Sequence, residues 1–296
     1  MNSKPLRCIA TFLLATLATI TAMAREPTVH RGIEFARVDD RPLRLDLYLP
    51  SDAKAELGVI VWVHGGRWSR GSRASVPSGL LKIGYPVASV DYRLSTEAKF
   101  PAQIHDIKAA IRFLRGHATS FGLDTRTVTI AGSSAGGHLA ALVGVTNGHS
   151  QLEGRLGDEL QQSSSVQAIL DFYGPTNFMT ILEQSTLHGY KVRAPALALL
   201  LNGEPATHAE QAKLASPVFH VDPSDPPILI VHGDQDIQVP INQAHELQGA
   251  YNAKGLKAVF EVIHGAGHGG DAFFDQRMQT VIKSFLASAH RSEHGE

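Results

Sequence analysis

A serine hydroxyl becomes a useful nucleophile at neutral pH when a base takes its proton and an acid orients that base. In this 296-residue chain, Ser134 stands in a setting suited to that task. It is the centre of Gly132-Ser133-Ser134-Ala135-Gly136, a G-x-S-x-G fragment. An apolar, β-branched run at 128–131 precedes the fragment, and a helical pattern at 135–145 follows it. Between strand and helix such a fragment folds into a tight turn that lifts the serine Oγ above the sheet edge. The neighbours must be small, because bulk beside Ser134 would collide with the strand and helix it joins. The helix N-terminus behind the turn favours negative charge developing on a substrate.

Acyl transfer through a serine builds a tetrahedral oxyanion, which needs preorganised N–H donors. His64-Gly65-Gly66-Arg67-Trp68 follows the apolar run 59–63 directly and can aim backbone N–H groups at that oxygen. The Ala135 N–H, one residue past the nucleophile, is a further donor. His64 is read as pinning this loop, not as a reacting group. The orienting acid should follow a late strand, and 228–231 leads into His232-Gly233-Asp234-Gln235-Asp236. Two aspartates compete there; Asp236 is favoured because it sits deeper in the loop, with Asp234 shaping the turn. The base should follow the last strand, 258–263, where His264 and His268 both stand in His264-Gly265-Ala266-Gly267-His268-Gly269. His268 is favoured, since the small residues before it let the loop reach back to Ser134. His264 is expected to pack at the strand end.

Metal chemistry fits less well. The chain has fifteen histidines, but its single cysteine removes any Cys-based zinc or iron–sulfur site. His264 and His268 are four apart, yet Gly-Ala-Gly between them opposes the helix that zinc pairs use, and no H-E-x-x-H is present. No metal and no cofactor are expected.

The elements that must hold these residues alternate. Residues 43–49 alternate apolar and polar types, as a half-buried strand does. Runs at 59–63, 87–90, 128–131, 168–172, 228–231 and 258–263 suit strands covered on both faces. Helical patterns lie between and after them at 102–115, 135–145, 241–252 and 273–289. Such alternation predicts an α/β fold, a mostly parallel sheet flanked by helices. A stretch at about 175–225 interrupts it and reads as a small lid-like insertion over the active site, not a second domain. Its Phe178, Met179, Ile181 and Leu182, with the run 197–201, could wall an acyl or aryl pocket or cover the core.

The first 24 residues read as a cleavable export signal: Lys4 and Arg7, an uncharged apolar run at 9–20, then Ala22-Met23-Ala24. The run is too short for a comfortable membrane span, so no stable anchor is expected. Residues 25–296 then form one catalytic domain, periplasmic or extracellular. Hydrophobic residues at 43% and charged residues at 19% describe a globular chain. A net charge of −1 offers no basic field for a phosphate backbone, so nucleic acid is not an expected partner.

The motifs together resemble an α/β-hydrolase esterase related to the hormone-sensitive-lipase group, nearest to secreted feruloyl/acetyl xylan esterase-like enzymes. The resemblance runs through His64 to Trp68, Gly71-Ser72, Asp91-Tyr92-Arg93-Leu94, residues 99–110, 132–139, Ala215-Ser216-Pro217, 232–236 and Gly267-His268. It covers about residues 43 to 287. It implies Ser134 as nucleophile, Asp236 as acid, His268 as base, and oxyanion donors from Gly66, Arg67 and Ala135. The chain carries Arg67 where the lipase-type loop has a third glycine, so its backbone alone can donate and its side chain is left to meet substrate or a carboxylate. Ile237 stands where relatives tend to carry proline. Trp68, beside the oxyanion loop, is a candidate to stack on a sugar or aromatic ring of the substrate, or merely to pack. The function implied is hydrolysis of small or polymer-borne carboxylic esters, short-chain acyl, acetyl or feruloyl. The alternatives are a prolyl-oligopeptidase-type peptidase or amidase, and an inactive binding protein on the same fold.

Overall fold

The computed structural model describes residues 27–51 and 57–291; the segment read as an export signal lies outside them. Eight strands form one sheet: β1 (Thr28–Val38), β2 (Arg41–Leu49), β3 (Val59–Val63), β4 (Val87–Val90), β5 (Val128–Ser133), β6 (Ala168–Phe172), β7 (Ile228–Gly233) and β8 (Ala258–Ile263). Their spatial order is β1-β2-β4-β3-β5-β6-β7-β8. β2 runs antiparallel to both neighbours, and every pairing from β4 through β8 is parallel. This is the mostly parallel sheet that the alternation and the resemblance imply.

Five helices of ten or more residues serve the sheet among the described residues: α1 (Ala102–Gly116), α2 (Ala135–Gly144), α3 (Leu187–Leu201), α4 (Asn242–Ala253) and α5 (Gln276–Arg291). The inner strands are apolar throughout because both their faces are covered. On one face, Val61, Val63, Ile130, Ile169 and Ile230 pack with Ile104, Ile107 and Leu114 of α1, Leu139 and Leu142 of α2, and Leu247 of α4. On the other, Ile60, Trp62, Leu170, Leu229 and Val231 pack with Met278, Ile282, Phe285 and Leu286 of α5. Those four α5 positions recur at helical spacing, the stripe that turns one side of a surface helix toward a core. Among the described residues no helix is long and apolar enough to cross a membrane.

Two elements escaped the periodicity. Register shifts between His30 and Ile33 and between Glu34 and Ala36 break the two-residue alternation of β1, the edge strand. The stretch at 175–225, expected to be irregular, carries the 15-residue helix α3 despite Gly189 and an internal Pro195. Proline in a helix interior removes a hydrogen bond and is normally costly. Here buried Leu197, Leu200 and Leu201 join the main core and hold the helix. Thr186 starts it, accepting the Gly189 N–H on its side-chain oxygen at 3.0 Å.

Candidate active site

Ser134 ends the β5 turn and opens α2 with φ at 54° and ψ at −118°, a backbone that a side-chain-bearing residue rarely adopts. The turn is this sharp because nothing beside it carries bulk. A Cβ added at Gly132 would meet the Gly136 carbonyl oxygen at 2.2 Å, and one at Gly136 would meet the Val63 oxygen at 2.0 Å. The Ser134 N–H donates to the Phe172 carbonyl at 2.8 Å, anchoring the turn to β6.

The turn brings three distant side chains together. Ser134 Oγ lies 2.8 Å from His268 Nε2, and His268 Nδ1 lies 2.6 Å from Asp236 Oδ2. Asp236 Oδ1 accepts the Gln238 and Val239 N–H groups at 2.8 and 2.9 Å. Burial alone would raise the Asp236 carboxyl pKa, but hydrogen bonds from His232 and His268, with the cationic form of His268, hold it well below the usual range. It therefore stays ionised and orients the His268 tautomer with Nδ1–H toward itself. Burial lowers the His268 pKa more than Asp236 raises it, and Arg193 and His232 push the same way. A neutral imidazole at neutral pH can take the Ser134 proton.

The competing residues form a pair of their own. His264 Nδ1 lies 2.9 Å from Asp234 Oδ2, and Asp234 Oδ1 accepts the Gly265 N–H at 2.8 Å. The His264 side chain is 85% exposed. It does not pack at the strand end as expected, because the glycine turn after β8 swings it outward to meet Asp234. Neither residue reaches Ser134.

The loop after β3 takes left-handed backbone at Gly66, Arg67 and Trp68. Among the described residues, the N–H groups of Gly66, Arg67 and Ala135 make no hydrogen bond to a protein acceptor. Beneath them His64 is buried and stacks on Tyr92 at 4.4 Å, its Nδ1 is 2.7 Å from the Gly65 oxygen, and the Tyr92 hydroxyl donates to the His64 carbonyl at 3.1 Å. Burial lowers the His64 pKa, so it is neutral at pH 7. Of the remaining resemblance motifs, Asp91, Arg93 and Asp106 are held in ion pairs. Arg73 pairs with Asp46 and Asp91, and Arg93 grips Asp106 through Nη2 at 2.7 Å.

Trp68 requires a correction. Its side chain is fully buried, its Nε1–H donates to His138 Nδ1 at 3.1 Å, and its ring meets His138 and Phe178 edge-on. It cannot stack on a substrate ring from that position. An indole buried with its N–H satisfied is a packing residue. His138, its pKa lowered to about 4 by burial, passes the chain of hydrogen bonds from Nε2 to the Ala215 carbonyl at 2.6 Å. Trp68 thus ties the loop after β3 to α2 and to the far end of the insertion.

Three further residues at the site drew no signal from the sequence. Tyr173, at a φ of 46°, presents its ring edge-on to His268 at 4.8 Å. His232, buried at the end of β7, lies 3.4 Å from Asp236 Oδ2 and 3.0 Å from the Val239 carbonyl. Arg193 of α3, also fully buried, places Nη2 3.4 Å from His268 Nε2 and donates from Nε to the Gln238 carbonyl. His232 sits in a motif that was read for its aspartates. Tyr173 and Arg193 lie outside every motif and converge through the fold alone. A cleft of about 520 Å³ opens beside the turn, lined by Gly65, Gly66, Ser133, Tyr173, Pro77 and Phe274 among others.

The chain matches the BD-FAE family model over residues 45–251. It is 32% identical to the esterase LipC of Mycobacterium tuberculosis, over 86% of this chain and 64% of LipC. It is 27% identical to the isoprenylcysteine alpha-carbonyl methylesterase ICME of Arabidopsis thaliana, over 81% of this chain and 56% of that one. The chain thus spans between about half and two-thirds of the length of these curated relatives. Among solved structures, a truncated carbohydrate esterase from gut microbiota superposes with a TM-score of 0.80 at 33% identity, covering 90% of this chain and 98% of that one. Butyrate-bound esterase 2 of Thermogutta terrifontis superposes with a TM-score of 0.70 at 27% identity, covering 88% and 94%.

Proposed function

The chain belongs to the BD-FAE family of α/β-hydrolase esterases, and on that premise we propose that it is an exported serine carboxylic ester hydrolase. The observation that carries this reading is the line Ser134–His268–Asp236, with contacts of 2.8 and 2.6 Å, beside the unengaged N–H groups of Gly66, Arg67 and Ala135.

In the proposed reaction Ser134 Oγ attacks the ester carbonyl carbon while its proton passes to His268 Nε2. The carbonyl oxygen takes the negative charge and accepts hydrogen bonds from the three N–H groups. Asp236 stabilises the imidazolium that forms, without taking its proton. Collapse of the intermediate breaks the C–O bond to the alcohol, which leaves with the proton from Nε2. Water then attacks the acyl-enzyme, giving a proton to Nε2. The second collapse releases the carboxylic acid and returns that proton to Ser134.

The substrates we propose are short-chain acyl, acetyl or feruloyl esters of plant-polysaccharide type. The likeness to a carbohydrate esterase supports that class, and the cleft beside Ser133 and Tyr173 has room for a ring or a short acyl chain. Export rests on Lys4, Arg7, the run 9–20 and Ala22-Met23-Ala24; a mature N-terminus at Arg25 in the exported fraction is the expected finding. The enzymatic test is hydrolysis of p-nitrophenyl acetate, butyrate and octanoate and of methyl ferulate by wild type and Ser134→Ala. Turnover of short-chain esters and ferulate by the wild type, reduced about 10⁴-fold or more in the mutant, is expected. Full activity in Ser134→Ala, or none from folded wild type, overturns the proposal.

A further inference from the structure

Arg193 is among the largest fully buried side chains of the protein, and Asp236, the carboxylate whose charge pulls on it, is not bonded to it. Among the described residues no carboxylate forms an ion pair with Arg193 or with Arg67. The nearest acid is already engaged: Asp236 spends Oδ1 on two backbone N–H groups and Oδ2 on His268 and His232. Arg193 Nη1 and Arg67 Nε are each buried with no hydrogen-bond partner. Burial first, and then repulsion from Arg67, lower the Arg193 pKa to about 10 against the pull of Asp236, which leaves it cationic at neutral pH.

A buried cation that no carboxylate contacts is expensive, and so is a buried N–H donor with nothing to accept it. Arg67, half-buried, adds its repulsion and a second unpaired N–H donor to that cost. Arg193 Nη2 stands 3.4 Å from the His268 nitrogen that receives the Ser134 proton in the proposed reaction, and Arg67 supplies its backbone N–H to the proposed oxyanion hole. A surface that merely needed packing at these positions would be served by an apolar side chain. An arginine is suited instead to a planar anion, which it grips through paired N–H donors.

We propose that Arg193 and Arg67 together receive a carboxylate carried by the ester substrate, so that the enzyme prefers esters bearing an anionic group near the scissile bond. The inference rests on the esterase reading and narrows its substrate class. A bound carboxylate would accept from Arg193 Nη1 and Arg67 Nε and bring a negative charge into contact with both. It would also offset the cation that faces His268 as the imidazolium forms.

Two matched ester pairs separate the sides on which the carboxylate could sit. Monomethyl succinate against methyl levulinate changes the acyl side from carboxylate to neutral ketone at nearly constant shape. 4-Acetoxybenzoate against 4-acetoxyacetophenone makes the same change on the alcohol side. The readout is the charged-to-neutral ratio of kcat/KM in wild type, Arg193→Gln and Arg67→Gln; differences in intrinsic reactivity cancel when variants are compared. The proposal requires this ratio to fall about 10- to 100-fold in Arg193→Gln for at least one pair, and that pair identifies the side. Arg67→Gln, at a half-buried position, should lower the same ratio and decides the matter if Arg193→Gln does not fold. Unchanged ratios in both pairs, with neutral esters still hydrolysed, overturn the carboxylate receptor and leave the esterase standing. Failure of wild type to hydrolyse any of the four esters would instead overturn the esterase reading beneath it.

Discussion

The loops after β7 and β8 meet twice, and each time an aspartate meets a histidine. Asp236 and His268 lie 2.6 Å apart with side chains 0% and 12% exposed; Asp234 and His264 lie 2.9 Å apart with side chains 30% and 85% exposed. The residue types are the same and the distances nearly so. What differs is the surroundings. The inner pair is shielded from water, braced below by His232 and edge-on by Tyr173, and ends on Ser134. The outer pair ends in solvent and holds the Gly265 turn. Burial strengthens a charge-assisted hydrogen bond and fixes the ring that makes it, whereas water screens the same bond at the surface. An Asp–His contact is thus fitted to the proposed catalysis or to fastening a loop according to where it is placed.

The sharpest way to break this comparison is to remove each carboxylate's charge in turn. Asp236→Asn should lower kcat by roughly 10⁴-fold, because the amide permits the wrong His268 tautomer. Equal losses from Asp236→Asn and Asp234→Asn, in p-nitrophenyl butyrate assays, would erase the distinction between the pairs. The next effect is on pH. The reaction needs neutral His268, whose folded pKa is depressed below 6.5 by burial. Activity should therefore hold at pH 7 and fall about tenfold per unit once pH drops below that lowered value. An acid limb centred above 6.5 in kcat/KM would contradict the shielding of the inner pair. Third, His232→Phe strips a donor from Asp236 and the Val239 carbonyl, and should cost about 1–3 kcal/mol of stability in urea unfolding. No change in midpoint would show that the inner pair needs no brace. The smallest effect belongs to His264→Ala, which should alter kcat/KM by less than about fivefold.

Ser134, Asp236 and His268 are legible in the sequence because each sits in a short segment with its own local constraint: a glycine-lined turn, a strand end, a glycine-rich loop. The inner strands were equally plain, since burial on both faces writes itself as unbroken apolar runs at 59–63 and 228–231. Residues that act through three-dimensional convergence were not legible. Arg193 lies 75 positions from His268 on a helix that Gly189 and Pro195 concealed. Trp68 stands in sequence beside the oxyanion loop, which suits either substrate or packing; only the fold shows the indole turned inward onto His138. His264 looked like a packing residue because the outward swing of the glycine turn after β8 has no signature in one residue's identity.

The hydrogen-bond chain from Trp68 through His138 to Ala215 has a bearing on how this scaffold could be recombined. The insertion is fastened at its near end as well, by Thr186 to the Ile237 carbonyl and by Arg193 to the Gln238 carbonyl. Its fastenings thus reach the oxyanion loop, α2 and the acid loop, three segments far apart in the chain. Such a segment is not a cassette. Exchanging it between relatives would leave Trp68, His138 and the acid loop without their partners, so new specificity on this framework is more readily reached by changing side chains in place than by grafting the insertion whole.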